Sequence, residues 1–208
     1  MKNKKKTTHS TSTEEKIKNA ARTLFTQNGY AAVKTRDIAA EAGINLALLN
    51  YYFRNKQKLF EIIMFENLQR LKEGVLLIMN DKTTLFDQKI QLIVSHYIDM
   101  LIENPDLPLF VLGVIRHNPD DFIRIMNIEQ EFQNSSFVKQ AGQMLNSGKQ
   151  RAINPIHFLI NMMGMIVFPV AASPMIMRMG KMNRNEFIEF MQERKKLIPL
   201  WIGGMVAS

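Results

Sequence analysis

The segment from Thr35 to Phe53 constrains the fold more tightly than any other part of the chain. Ala39 takes an inward position of a first short helix, and Gly43 follows four residues later, where a left-handed residue can end that helix. Ile44 and Leu49 then take the inward positions of the turn and of a second helix. A small residue, a glycine and two large apolar residues at this spacing are typical of the helix-turn-helix motif.

The outward positions of the same segment carry groups that suit a polyanion. Hydroxyl, amide and cationic groups of this kind donate hydrogen bonds to phosphate oxygens, and they stand at Thr35, Arg36, Asn50, Tyr51, Tyr52 and Lys56. A helix predicted to begin at Lys56 would add its N-terminal amides to such a site. The alternative is that the segment is a packed hairpin with no binding role.

Positive charge is concentrated in the first third of the chain. The net charge is +8, and the first 60 residues hold twelve Lys and Arg against four Asp and Glu, so the remainder is neutral. A basic segment beside a neutral body indicates a polyanionic partner. The alternative is a solvated lysine tail, because Lys2, Lys4, Lys5 and Lys6 stand within a polar, disorder-prone stretch over residues 1–12.

Apolar residues recur at helical spacing along the rest of the chain. We predict a first helix from a cap at Thr13 to a stop at Asn28-Gly29, a second capped by Thr35, a third capped by Asn45, and a fourth from Lys56. No run of short alternating strands is present. The sequence therefore predicts an all-α fold of about nine helices.

The segment Phe158–Ala172 is almost entirely apolar. It is shorter than the roughly 20 residues that a membrane span needs, and Asn161 and Pro169 interrupt it. We therefore expect a buried or interface helix, with a membrane-associated helical protein as the alternative and no membrane partner in the favoured interpretation.

Motifs of catalysis and metal binding are missing from the sequence. There is no cysteine, no glycine-rich phosphate loop and no H-E-x-x-H pair, and the four histidines lack metal spacing. The absence of cysteine is consistent with a reducing cytoplasm. We expect a cytoplasmic protein that is not an enzyme and uses no cofactor or metal; a helical-bundle enzyme or carrier is the alternative.

Two stretches resemble the TetR family of bacterial regulators. The resemblance is carried by Thr35–Ile44 (TRDIAAEAGI) and Leu49–Phe60 (LNYYFRNKQKLF), with Ile17–Gly29 resembling the family's first helix. It implies a three-helix DNA-binding domain over residues 13–60, whose second motif helix enters the major groove. It also implies a helical effector-binding and dimerisation bundle over residues 61–208.

Several positions depart from the family's commonest pattern. Asn45 replaces a Ser or Thr cap, and Asn50 stands where a tyrosine commonly contacts phosphate. Apolar Leu46, Ala47 and Leu48 lie where polar base readers are common, and apolar groups can contact thymine methyls without donating a hydrogen bond. Arg36 and Tyr51 thus become the candidates for polar readout.

The resemblance implies a homodimeric repressor that a small molecule releases from a double-stranded operator. We expect an apolar or amphipathic effector, and the candidate contacts in the second domain are Phe110, Arg116, His117 and Met162. The apolar helices Phe158–Ala172 and Phe187–Ile202 are expected to pair with their copies in the dimer.

Overall fold

The computed structural model of the protein describes residues 5–147 and 155–207. Every regular element in these two ranges is an α-helix, which confirms the predicted all-α class. The helices in chain order are α1 (Lys5–Ala32), α2 (Thr35–Glu41), α3 (Leu46–Phe53), α4 (Lys56–Asn80), α5 (Phe86–Glu103), α6 (Leu107–His117), α7 (Pro119–Met126), α8 (Ile128–Gln133), α9 (Ser136–Ser147), α10 (Pro155–Ala171), α11 (Ser173–Gly180) and α12 (Arg184–Ala207).

The described ranges hold twelve helices, more than the nine or so that we predicted. The unforeseen breaks divide α7, α8 and α9. Asn127 adopts the left-handed conformation at φ 46° and ends α7, and the Ser135 hydroxyl accepts a hydrogen bond from the Val138 amide in the first turn of α9. Neither residue stands beside a glycine or proline, the residues that mark most of the predicted breaks.

Helix α1 begins earlier than its predicted cap. The structure continues the helix back to Lys5, through residues that we predicted to be disordered, because no glycine or proline between Lys5 and Ser12 breaks it. The path is interrupted at Gly29, with φ 75° and ψ 156°, where we predicted the helix to end. Residues 1–4 of the predicted tail lie outside the described residues.

Residues 1–68 form one compact unit. Its core contains side chains with no exposed surface from all four helices, namely Ile17, Ala21, Ile38, Leu49, Leu59 and Ile63. The division falls after Leu68, beyond the boundary predicted at Phe60. The reason is that α4 continues to bond α1 through Glu66.

Four charged side chains tie α1 to α4 inside this unit. Lys18 Nζ lies 2.8 Å from both Glu15 and Glu66, and Arg22 pairs with the same two carboxylates. Burial acts to lower the pKa of Lys18, but hydrogen bonds with Glu15 and Glu66 outweigh it and raise that pKa. Hydrogen bonds from Lys18 and Arg22 lower the pKa of Glu15. The network thus favours the charged forms of Glu15 and Lys18.

Residues 69–208 form the second unit, which is organised around α5. Helix α5 packs against α9, α10 and α12. Its buried apolar residues recur at helical spacing at Ile90, Ile93, Val94, Ile98 and Leu101, and α12 buries Phe187, Met191, Ile198 and Ile202. Two rows of this kind bury each other's apolar surface, which is the main stabilisation of a helical bundle.

A buried lysine closes the connection between α4 and α5. Lys89 has no exposed surface, and its ammonium donates to the carbonyls of Ile78 and Asp81 at the end of α4. The last carbonyls of a helix have no partner within it, so a cation there satisfies them. Hydrogen bonds from Thr84 and Thr83 lower the pKa of Asp81 to about 2. Together these contacts order the loop that starts the second unit's central helix.

No single helix among the described residues is long and apolar enough to cross a membrane. Only the pair His157–Ala171 and Ser173–Gly180 reaches the required length and hydropathy, and it is bent by 75°.

We predict that Glu66→Gln lowers the free energy of unfolding by about 1–2 kcal/mol, because Glu66 receives charge-assisted hydrogen bonds but is partly exposed. Urea unfolding followed by circular dichroism measures this change. Glu61→Gln is the matched control, since Glu61 bonds only Gln57 and Lys58 of its own helix. Equal losses in the two variants would contradict a stabilising role for the network.

Candidate nucleic-acid interface

A left-handed residue makes the turn between α2 and α3. Gly43 has φ 66°, its amide donates to the Ala40 carbonyl at 3.1 Å, and the Ile44 amide donates to the Ala39 carbonyl at 2.9 Å. Both α2 residues at the predicted inward positions, Ile38 and Ala39, are buried. The predicted helix-turn-helix is confirmed, with its glycine at the position that requires one.

Helix α3 starts at the cap that the sequence predicts. Asn45 has extended backbone angles, and its side-chain oxygen accepts a hydrogen bond from the Leu48 amide at 2.8 Å. This is the geometry in which Ser, Thr, Asp and Asn satisfy the free amides of a first turn. Asn45 therefore positions α3 through its oxygen, while its side chain stays exposed.

The two faces of α3 differ in character. Leu49 and Phe53 are buried, and Leu46, Leu48 and Tyr52 are half-buried at the margins. Ala47, Asn50 and Tyr51 face outward, and Tyr51 is 80% exposed. The Tyr51 ring lies edge-on to the ring of Tyr52 at 5.4 Å between centroids. The outward face is thus apolar and amide-bearing, with one tyrosine standing out from the surface.

The cap of α2 is not the one we predicted. Thr35 is the first helical residue and is half-buried, and the flanking residue is Lys34, whose amide donates to the Asp37 carboxylate at 2.8 Å. Asp37 reaches back to the free amide ahead of the helix, so no Thr35 hydroxyl is needed there. Arg36 is exposed beside this first turn.

Lys56 has a role within the unit that the sequence analysis missed. Its ammonium donates to the carbonyls of Tyr30 and Val33 at 2.9 and 2.8 Å and lies 4.1 Å from the centre of the Tyr30 ring. The carbonyls at the C-terminal end of a helix attract a cation because they lack helical partners. The ammonium of Lys56 thus has two acceptors within the unit, and a phosphate contact by Lys56 stays a prediction.

Exposed cations that we did not single out remain nearby in the chain. Lys34 precedes α2, and Arg54 follows α3 with a positive φ of 61°. In the sequence, only the positions of Lys34 and Arg54 indicate a role, because each stands one residue outside a helix of the motif.

A family profile matches the part of the chain that contains this motif. The sequence profile described as "Bacterial regulatory proteins, tetR family" matches residues 17–63, the same residues that build α1 to α3 and the start of α4. The resemblance to the TetR family that the sequence predicts is thus confirmed over residues 17–63, the family's DNA-binding helices.

Two curated relatives illustrate the extent of the likeness in sequence. The probable HTH-type transcriptional regulator YttP of Bacillus subtilis is 40% identical over 55 residues, which are 26% of this chain and 27% of YttP. The transposon Tn10 TetC protein of Escherichia coli is 28% identical over 95 residues, or 45% of this chain and 46% of TetC. The matches thus span less than half of either relative.

The structure of the ketosteroid transcriptional regulator KstR2 of Mycobacterium tuberculosis resembles a larger part of this chain. It aligns with a TM-score of 0.60 over 92% of this chain and 93% of KstR2, at 15% identity. At this identity the likeness shows the fold alone.

The four candidate effector residues do not share one environment. Met162 is buried in α10 and Phe110 is half-buried in α6, whereas Arg116 and His117 are exposed at the end of α6. The His117 ring lies 2.8 Å from the Gly113 carbonyl oxygen of the same helix. This contact places the His117 ring at the C-terminal end of its own helix.

We predict that Gly43→Val lowers the free energy of unfolding by about 2 kcal/mol, because a β-branched residue is strained at positive φ. Nothing lies within 4 Å of an added Cβ at Gly43, so the cost is one of backbone conformation and not of collision. Thermal unfolding measures it.

Gly43→Asn is the matched variant, because asparagine tolerates the left-handed region better than other residues. It should lose clearly less stability than Gly43→Val. A second control is Gly113→Ala in α6, where an added Cβ also meets nothing within 4 Å. Equal stability in the valine and asparagine variants would contradict the assigned turn.

Proposed function

We propose that the protein is a transcriptional repressor that binds an operator as a homodimer and leaves it when a small apolar or amphipathic molecule binds. The observation that carries the proposal is the outward face of α3. This face is held by the Gly43 turn and the Asn45 cap, and it presents Tyr51 at 80% exposure. A helix presented in this way fits the major groove. Because the proposed target is operator DNA, the proposal includes a cytoplasmic location.

Basic side chains around the motif support a duplex partner. Arg36 and Arg54 are exposed on either side of α3 in the chain, and arginine at such positions pairs with phosphates. In this proposal Thr35 and the amides of the α4 N-terminus add phosphate contacts. Tyr52 contributes less, because its ring is half-buried.

We predict that binding to random-sequence duplex DNA weakens steeply as salt rises, because cations on the protein displace counterions from phosphates. Arg36→Ala and Arg54→Ala should each reduce the slope of log affinity against log salt by about 1. Fluorescence anisotropy between about 50 and 200 mM salt measures this slope. Over this range, proteins that make several phosphate contacts lose orders of magnitude of affinity.

Arg178→Ala in α11 is the control for these variants, since Arg178 is an exposed arginine of the second unit. It should leave the slope unchanged. A wild-type affinity that does not vary with salt would remove DNA binding as the function.

Exposed apolar side chains on α10 and α12 support a homodimer. Ile160 and Phe168 are 60% and 58% exposed on α10, and Gly164 lies between them at helical spacing. Leu200 and Trp201 are exposed on α12, which packs against α10. Apolar faces of this extent are rare on monomers, and a two-fold axis lets one patch cover its own copy.

Arg194 braces these two helices against each other. Its guanidinium donates to the Met165 carbonyl at 2.8 Å and lies 5.3 Å from the Trp201 ring. Burial lowers its pKa. A fixed α10–α12 pair presents one rigid surface, as a dimer that spaces two recognition helices ~34–36 Å apart requires.

We predict that Phe168→Glu converts a wild-type dimer to a monomer at micromolar concentration and lowers duplex affinity together with it. A buried carboxylate at a two-fold interface meets its own copy and loses hydration. Sedimentation velocity and anisotropy measure the two effects.

Leu109→Glu is the matched control, because Leu109 of α6 is also 58% exposed but lies outside the α10–α12 surface. It should remain dimeric. A monomeric wild type that still binds duplex with full affinity would refute the dimer proposal.

The effector proposal has a direct chemical test. Mass spectrometry of an organic extract of the purified protein identifies any retained small molecule. Adding that extract back should lower duplex affinity if the molecule releases the protein from DNA. Phe110, Arg116, His117 and Met162 stay proposed contacts, to be tested by substitution.

A further inference from the structure

The helix expected to read bases carries no charge. None of the eight residues of α3, Leu46–Phe53, is Lys, Arg, Asp or Glu. The residues that face outward are Ala47, Asn50 and Tyr51, with Leu48 half-buried at one margin. The edge that α3 offers to a groove is therefore made of two aliphatic groups, one amide and one phenol.

This set of groups discriminates between base pairs. Guanine is read most often by a bidentate Arg or Lys on its O6 and N7, and cytosine by an acidic acceptor on its amino group. Helix α3 has neither. Thymine alone offers a methyl group in the major groove, which aliphatic side chains contact, and adenine offers the donor and acceptor pair that an Asn amide matches.

The basic residues near the motif lie outside α3 in the chain. We therefore assign phosphate contacts to these residues and base reading to α3. Arg36 stands in the first turn of α2, and Arg54 follows the last residue of α3. Both are exposed. Side chains at the rim of a motif contact the phosphate backbone, which adds affinity without sequence information.

The Tyr51 side chain is oriented by its neighbour. Its ring meets the Tyr52 ring edge-on, with an angle of 86° between the ring planes, and Tyr52 is itself half-buried. The aromatic ring thus adds apolar surface to the outward face, next to its phenol hydroxyl.

We infer that α3 reads A·T pairs, with Ala47 and Leu48 contacting thymine methyl groups and Asn50 binding the edge of an adenine rather than a phosphate. This inference rests on the proposed DNA-binding function and adds its base preference. It assigns recognition at the pairs beneath α3 to methyl contacts and one amide, without a charged reader.

The first experiment finds the preferred duplexes. Full-length protein is used to select from a library of duplexes with a randomised 30-base-pair centre, and the enriched sequences are read for the wild type and for Asn50→Ala. Pairs whose identity changes in the variant are the pairs that Asn50 reads. We expect an A·T pair at the position that Asn50→Ala relaxes, with further A·T pairs beside it.

The second experiment removes methyl groups from the DNA alone. Each thymine of the enriched half-site is replaced in turn by uracil, which keeps the hydrogen-bonding edge and lacks only the methyl. Loss of a buried methyl should weaken binding about fourfold at a contacted thymine. Thymines outside the half-sites should tolerate the change.

Combining each protein substitution with each replacement of thymine by uracil assigns a methyl group to the side chain that contacts it. In Leu48→Ala the uracil effect at the thymine under Leu48 should vanish, while the effects at the other thymines persist. Ala47→Ser provides the same test at an exposed position where the fold is not at stake, and urea unfolding checks both variants. Leu77→Ala, which truncates an exposed leucine of α4 in the second unit, should leave every uracil effect in place.

The outcomes distinguish failure of this inference from failure of the proposed DNA-binding function. A chain that enriches no duplex overturns DNA binding, and the reading by α3 with it. Enrichment of half-sites with G·C pairs at the positions changed by Asn50→Ala overturns only the A·T reading. So does a half-site in which uracil replaces every thymine without loss of affinity.

Discussion

The left-handed turn at Gly43 determines which side of α3 meets the core. Two hydrogen bonds across the turn, from Gly43 and Ile44 to the end of α2, set the direction in which α3 leaves it. Leu49 and Phe53 then fall inside, so Ala47, Asn50 and Tyr51 must fall outside. A different backbone conformation at this one residue would rotate a different edge of α3 into solvent. The nature of the outward face of α3 therefore follows from a conformation that favours glycine.

Several charged side chains of the first unit stabilise its fold in addition to setting its net charge. Lys18 and Arg22 pair with Glu15 and Glu66, and Lys56 donates to two carbonyls at the end of α1. These three basic residues are thus engaged inside the unit. The exposed Arg36 and Arg54 stand at the ends of the motif helices, where the proposed phosphate contacts lie.

The second unit is built around a helix buried along much of its length. Helix α5 receives α9, α10 and α12 on its sides, and Lys89 at its start satisfies the end of α4. Covering α5 uses one face of α10 and of α12. Their other faces keep Ile160, Phe168 and Leu200 in solvent, which is the physical basis for expecting a second copy of the chain.

The sequence by itself determined the helical class, the helix-turn-helix and the Asn45 cap, because these depend on spacing, glycine conformation and local hydrogen bonds. It also placed the uncharged segment Leu46–Leu48 in the first turn of α3. Tertiary structure decided the rest: that Lys56 meets carbonyls 23 and 26 residues earlier in the chain, that α4 remains bonded to α1 as far as Glu66, and which face of α12 is buried. Those outcomes depend on groups distant in sequence that meet only after packing, and no local pattern encodes such partners.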